Sequence, residues 1–130
     1  MATKTKHMNK KITFIKPLLL TSCLLMSSIS IGQLSLQQIK DKGIKHPEIV
    51  YAQYRLETGN GKSRAFREYN NAFGFIYKRK LMRFKSVEAC VEYYKTWQAK
   101  RYVTGDYFEF LKKIGYAEEE GYIELLKKML

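Results

Sequence analysis

A chain of 130 residues has room for one domain with a single modest core, which excludes a multidomain assembly, and it contains no internal repeat. Its formal charge of +12 is unevenly spread: five lysines and no acid stand before Pro17, and the part after Gly32 keeps 19 basic and 12 acidic residues, a net +7. With two cysteines and two histidines there is no cluster with metal-ligand spacing and little basis for a Ser-His or Cys-His pair, so neither a metal nor a cofactor is expected.

Lys4, Lys6, Lys10, Lys11 and Lys16 precede an apolar stretch over 17–31 that is rich in Leu, Ser and Ile. A basic start followed by a short apolar run reads as a signal peptide, too short for a comfortable membrane span. Ser30-Ile31-Gly32 puts small residues at the minus-three and minus-one positions, so cleavage is expected before Gln33. Residues 1–32 are then a leader and 33–130 an exported domain, periplasmic, extracellular or in the cell wall. Two alternatives stand beside this. The run could remain as an anchor, or Leu20-Thr21-Ser22-Cys23 could act as a lipobox acylated on Cys23, although Leu24, Leu25 and Met26 continue the apolar run beyond it.

Residues 34–42 read as a short first helix ended by Gly43. In the next, His46 is an N-cap candidate and Pro47 suits the first helical position, where no N–H is needed. Ile49, Ala52 and Leu56, with Gln53 beside them, recur at three- and four-residue steps and predict a core-facing stripe. Gly59 and Gly61 stop the helix. Glu57 thus falls at the edge of the core, where a helix end could open into a cleft. A carboxyl held against apolar neighbours resists ionisation and can remain a proton donor near neutral pH, as the acid of a glycosidase must. A solvated glutamate in a last turn is the plainer account of the same position.

Residues 75–85 contain no Asp or Glu and leave room for one short hairpin. Ser86 predicts the cap of a long helix to about Arg101, with Val87, Cys90, Val91, Tyr94 and Trp97 inward and Glu88, Glu92 and Lys95 in water. Cys90, alone once the leader is gone, is expected to be a buried apolar residue. Asp106 predicts the cap of a helix through Ile114 with Tyr107, Phe108, Leu111 and Ile114 as its stripe. Residues 118–130 form a last helix, with Glu118, Glu119 and Glu120 at its start and Lys127 and Lys128 at its end, an order that suits the helix dipole. The pattern predicts an α+β fold, mostly α, with a minimal β-hairpin.

Ala52-Gln53, Glu57-Thr58-Gly59, Gly61-Lys62-Ser63 and Asn71-Ala72-Phe73-Gly74 together resemble the glucosaminidase family of bacterial peptidoglycan hydrolases, which includes flagellar muramidase-type and autolysin domains. Gly115-Tyr116-Ala117 followed by Gly121-Tyr122 is similar to that family's closing Gly-Tyr-Ala-Thr-Asp-x-x-Tyr motif. The likeness runs from about Pro47 to the C-terminus. Thr58 stands where Ser is usual, Asn60 replaces a common Trp, and Glu118-Glu119-Glu120 replaces the Thr-Asp-Pro portion.

The resemblance implies a lysozyme-like helical domain that hydrolyses a β-1,4 bond of the glycan strand, in the manner of an endo-β-N-acetylglucosaminidase, with Glu57 as general acid. The family's second carboxylate lies in the hairpin lobe, where this chain has none, so attack by the substrate's own 2-acetamido oxygen is one remaining route. Tyr116, by its match to the family's tyrosine, is then either a group that positions the acetamido or the water, or a core aromatic. Gln53, Ser63, Asn71, Phe73 and Tyr122 match positions implied to border the substrate. The partner implied is the peptidoglycan glycan strand, whose carboxylates a rim of Arg64, Arg67, Lys78, Arg79, Lys80, Arg83 and Lys85 would attract. The export signal argues against nucleic acid, and a monomer is expected. The missing hairpin acid keeps a second reading open, a wall-binding accessory domain without turnover.

Overall fold

A computed structural model of the protein describes residues 33–130; the leader expected over residues 1–32, with Cys23, lies outside the described residues. The first helix is shorter than the apolar pattern suggests, because Ser35 takes the N-cap in a reciprocal box with Gln38 and confines α1 to Leu36–Asp41. Helix α2 covers Pro47–Thr58 with Pro47 at its first position and Gly59 in the left-handed conformation at its end. His46 occupies the N-cap position at φ 55 but caps nothing. Its ring instead stacks on Tyr107 and bonds the Tyr102 hydroxyl at 2.8 Å through Nε2.

The expected stripe of α2 holds only in part. Ala52 and Gln53 are buried as expected and Val50, Tyr54 and Glu57 go into the core with them, whereas Ile49 and Leu56 are only half buried. Gln53 and Glu57 are polar, so an apolarity pattern marks only some of the buried face.

A helix with no apolar period of its own follows: α3, Arg64–Tyr69, capped by Ser63, whose Oγ accepts from the Phe66 N–H at 3.0 Å. Strands β1 (Ile76–Tyr77) and β2 (Lys80–Leu81) then pair antiparallel, with Ile76 opposite Leu81 and Tyr77 opposite Lys80. Lys78 and Arg79 turn the hairpin at φ 51 and 68, the positive pair that a two-residue type I′ turn requires. Asn71 fastens the hairpin's base: its Nδ2 donates to the carbonyls of Phe75 and Met82, both at 2.9 Å, and its Oδ1 accepts from the Phe75 N–H at 3.0 Å.

Helix α4 spans Val87–Arg101 with Ser86 as its cap, and α5 spans Tyr107–Lys113 with the Asp106 carboxylate accepting from Phe108 and Glu109 N–H. Ile114 falls beyond α5 and is 38% exposed, so it does not extend the stripe. Helix α6 is Tyr122–Lys128, not residues 118–130, because Gly121 at φ 87 breaks the helical path. Glu118, Glu119 and Glu120 therefore lie in the exposed turn ahead of it.

The described residues thus form six helices and one two-stranded sheet, an α+β fold that is mostly α. None of the helices is long and apolar enough to cross a membrane. The centre of the core is aromatic: Phe73, Phe75, Tyr94, Trp97, Tyr107 and Tyr116 are all buried. Cys90 joins them, its Sγ accepting from the Ala72 N–H at 3.3 Å and its thiol pushed up to about 12 by burial.

Candidate active site

The last turn of α2 is held rigidly from its own sequence. The Thr58 hydroxyl donates to the Tyr54 carbonyl and accepts from the Gly61 N–H, both at 2.7 Å, while the Thr58 carbonyl receives the N–H groups of Lys62 and Ser63. Arg55 Nε reaches back to the Asn60 side chain at 2.9 Å. Gly61 has no room for a side chain: a Cβ there would lie 2.5 Å from the Tyr54 hydroxyl. That hydroxyl in turn accepts from the Leu34 N–H at 3.3 Å, tying the start of the described chain to the turn.

Glu57 projects from this turn into the space between α2 and α6, 6% exposed. The Tyr122 hydroxyl donates to its Oε2 at 3.3 Å. Gln53, one turn earlier on α2, donates from Nε2 to the Tyr122 oxygen at 3.4 Å and accepts from the Tyr94 hydroxyl at Oε1. Tyr116 stacks on Tyr122 with ring centroids 6.0 Å apart, and its hydroxyl donates to the Phe73 carbonyl at 2.9 Å. Burial first, and the Glu57 carboxylate second, hold the Tyr122 phenol well above the ordinary range. Tyr116 is held high by burial, then by Tyr122 and Glu57. Both rings are therefore neutral donors wherever a carboxyl titrates.

Of the residues singled out in the sequence, Gln53, Glu57, Tyr116 and Tyr122 converge on one place. The others serve that place from behind. Ser63 is the cap of α3, Asn71 is the fastening of the hairpin, and Phe73 is a fully buried ring, its centroid 4.6 Å from that of Tyr94, and the Phe73 carbonyl holds the Tyr116 hydroxyl. The sequence places Tyr94 and Tyr107 inward as apolar fillers but does not point to their hydroxyls, nor to Gln98, as the polar groups behind Gln53. The available signal was the choice of Tyr at inward positions, where Phe or Leu would fill the same space, and of a glutamine in the last turns of α4. The basic residues of the rim, Arg64, Arg67, Lys78, Arg79, Lys80, Arg83 and Lys85, are all exposed. Arg64 is engaged by Glu68 at 2.8 Å, and Arg83 lies 3.9 Å over the Tyr69 ring. Among the described residues no group of three or more His, Cys, Asp or Glu is arranged to hold a metal ion.

The Glucosaminidase family model, described as mannosyl-glycoprotein endo-beta-N-acetylglucosaminidase, matches residues 33–130. The match takes in every element of the fold and starts upstream of the motifs that suggested the likeness. No curated protein and no solved structure matches the chain.

Proposed function

The chain belongs to the glucosaminidase family, and on that premise we propose that it is an exported peptidoglycan hydrolase cleaving a β-1,4 bond of the glycan strand on the reducing side of N-acetylglucosamine. Family membership supports a hydrolase of this general type. The observation that carries the finer reading is Glu57: a carboxyl almost removed from water at a helix end, with one oxygen engaged by Tyr122. In this mechanism Glu57 protonates the glycosidic oxygen as the bond to the anomeric carbon breaks. The 2-acetamido oxygen of the same sugar attacks that carbon, because residues 75–85 supply no carboxylate. Water then opens the resulting ring, giving its proton back to Glu57. Tyr116 positions the acetamido group or the water, supported by its stacking on Tyr122 and its bond to the Phe73 carbonyl. Ser63, Asn71 and Phe73 contribute by shaping the walls that carry these groups. The exposed cations around α3 and the hairpin attract the carboxylates of the wall polymer.

The test is digestion of purified peptidoglycan, followed by borohydride reduction and mass analysis of the new ends. Reduced N-acetylglucosamine ends are expected, and reduced N-acetylmuramic acid ends would reassign the bond. Glu57→Gln should lower turnover about 10²–10⁴-fold, the usual worth of a general acid, while leaving sedimentation with the wall intact. The acid-free hairpin favours one second reading, a wall-binding accessory domain; wall binding by the unaltered protein without any products would establish it.

A further inference from the structure

Asn60 and Gly61 form an Asn-Gly pair in the turn that follows Glu57, with Asn60 at the position where the family commonly carries Trp. In an unfolded chain such a pair undergoes a spontaneous reaction. The Gly61 main-chain nitrogen gives its proton to a base, attacks the Asn60 Cγ and expels ammonia, closing a five-membered succinimide. Water then opens that ring at one carbonyl or the other. The products are aspartate at position 60 or its isomer isoaspartate, in which the main chain runs through the side-chain carbon. In both, an amide and water have become a carboxylate and ammonium. Glycine favours the step because it lacks the Cβ that would crowd the attacking nitrogen.

The fold gives both reacting groups other partners. The Gly61 N–H donates to Thr58 Oγ1 at 2.7 Å, and Thr58 passes its single hydrogen to the Tyr54 carbonyl, also at 2.7 Å. The Thr58 oxygen is therefore committed as an acceptor to Gly61. Gly61 and Thr58 are both buried, so a base meets the N–H only after this bond is broken. On the other side, the Asn60 amide oxygen accepts from Arg55 Nε at 2.9 Å, and the Asn60 N–H donates to the Arg55 carbonyl at 2.9 Å. Asn60 itself is exposed, so solvent water is at hand for the second step.

We propose that Asn60 is a latent deamidation site and that the Thr58 hydroxyl keeps it closed by holding the Gly61 nitrogen. The closure protects the turn that carries Glu57. Isoaspartate adds one carbon to the main chain there, and Gly61 is packed so closely that a Cβ would lie 2.5 Å from the Tyr54 hydroxyl. Aspartate keeps the main chain and turns the Arg55 bond into an ion pair. The protection is independent of any activity at Glu57.

The test incubates the full chain in mildly alkaline buffer and follows aspartate and isoaspartate at position 60 by peptide mass spectrometry. The folded protein should form them at least about tenfold more slowly than the same chain unfolded in guanidinium chloride. Thr58→Val keeps the shape and loses the hydroxyl; it should react about 3–10-fold faster than the unaltered fold, the worth of one ordinary hydrogen bond. Thr58→Ser keeps the hydroxyl and should react at the unaltered rate. Asn71→Ala weakens the fold at the base of the hairpin and leaves the turn alone, so it too should react at the unaltered rate. Hydrogen exchange of the Gly61 amide, read by NMR, should be slow in the unaltered protein and quicken in Thr58→Val, because exchange and deamidation need the same bond broken. Should Thr58→Val fail to fold, exchange in the unaltered protein decides: a Gly61 amide that exchanges as fast as in the unfolded chain overturns the proposal. So does a folded protein that deamidates as fast as the unfolded one, a Thr58→Val rate no higher than the unaltered rate, or an equal acceleration in Thr58→Ser or Asn71→Ala.

Discussion

Replacing Gly61 with alanine separates the two demands that the turn after Glu57 makes on its glycines. Gly59 and Gly61 both have positive φ, 61 and 82, and an alanine in that conformation costs about 1–2 kcal/mol. At Gly59 nothing lies within 4 Å of a new Cβ, so that strain is the whole effect. At Gly61 the methyl would meet the Tyr54 hydroxyl at 2.5 Å. Tyr54 is fully buried and cannot swing into water; displacing its hydroxyl breaks the bond from the Leu34 N–H. An orphaned buried donor adds about 1–3 kcal/mol. Gly61→Ala should therefore cost about 2–5 kcal/mol against about 1–2 for Gly59→Ala, a serious loss for a domain whose total stability is on the order of 5–15 kcal/mol. Urea denaturation followed by circular dichroism measures both. Adding Tyr54→Phe to Gly61→Ala removes the atom in the way and should recover part of the loss, so the two changes should be non-additive. Equal costs at the two glycines, or full additivity with Tyr54→Phe, would refute the close-contact explanation.

Asn71→Ala removes three bonds that tie the hairpin base to the core and should destabilise the fold by about 3 kcal/mol or more; a variant that kept its melting temperature and lost only substrate affinity would return Asn71 to the substrate. At the hairpin tip, Lys78→Asn with Arg79→Gly supplies the residues that a type I′ turn prefers and should raise stability by about 1 kcal/mol, read as a higher melting temperature, with a lower one counting against the turn assignment. The Cys90 thiol is raised from its ordinary 9.0 to about 12 and the Tyr107 phenol from 10.0 to about 12. The unfolded chain therefore releases these protons at lower pH than the folded one, and stability should fall between about pH 9 and 12, with Tyr94, Tyr116 and Tyr122 acting in the same direction. Melting temperatures measured from pH 8 to 11 should decline progressively, and a flat profile would contradict the burial of these groups. For the same reason Cys90 should resist thiol reagents at pH 8 until the protein unfolds.

Much of the architecture is written in short-range signals. Ser35, Ser86 and Asp106 cap their helices through bonds to N–H groups two or three residues away, and Gly59 ends α2 because it tolerates a left-handed conformation. Such signals act over one turn of chain and can be read directly. Helix α3 escaped because six residues carry too little pattern, and its cap, Ser63, had been claimed by the family motif. The last helix was drawn too long because three glutamates look equally at home in a helix and in the turn before one; Gly121 decides between them.

The sequence alone marked residues 33–130 as mostly helical and of a recognisable family, with a carboxyl at the end of a helix and no acid in its hairpin. Only the tertiary structure decided what surrounds that carboxyl. Tyr122 is 65 positions from Glu57 and 69 from Gln53, and Tyr94 is 41 from Gln53. No local pattern ties such residues together. They meet because the apolar faces of four helices are buried at once, and each polar group carried inward must then find its partner among the others.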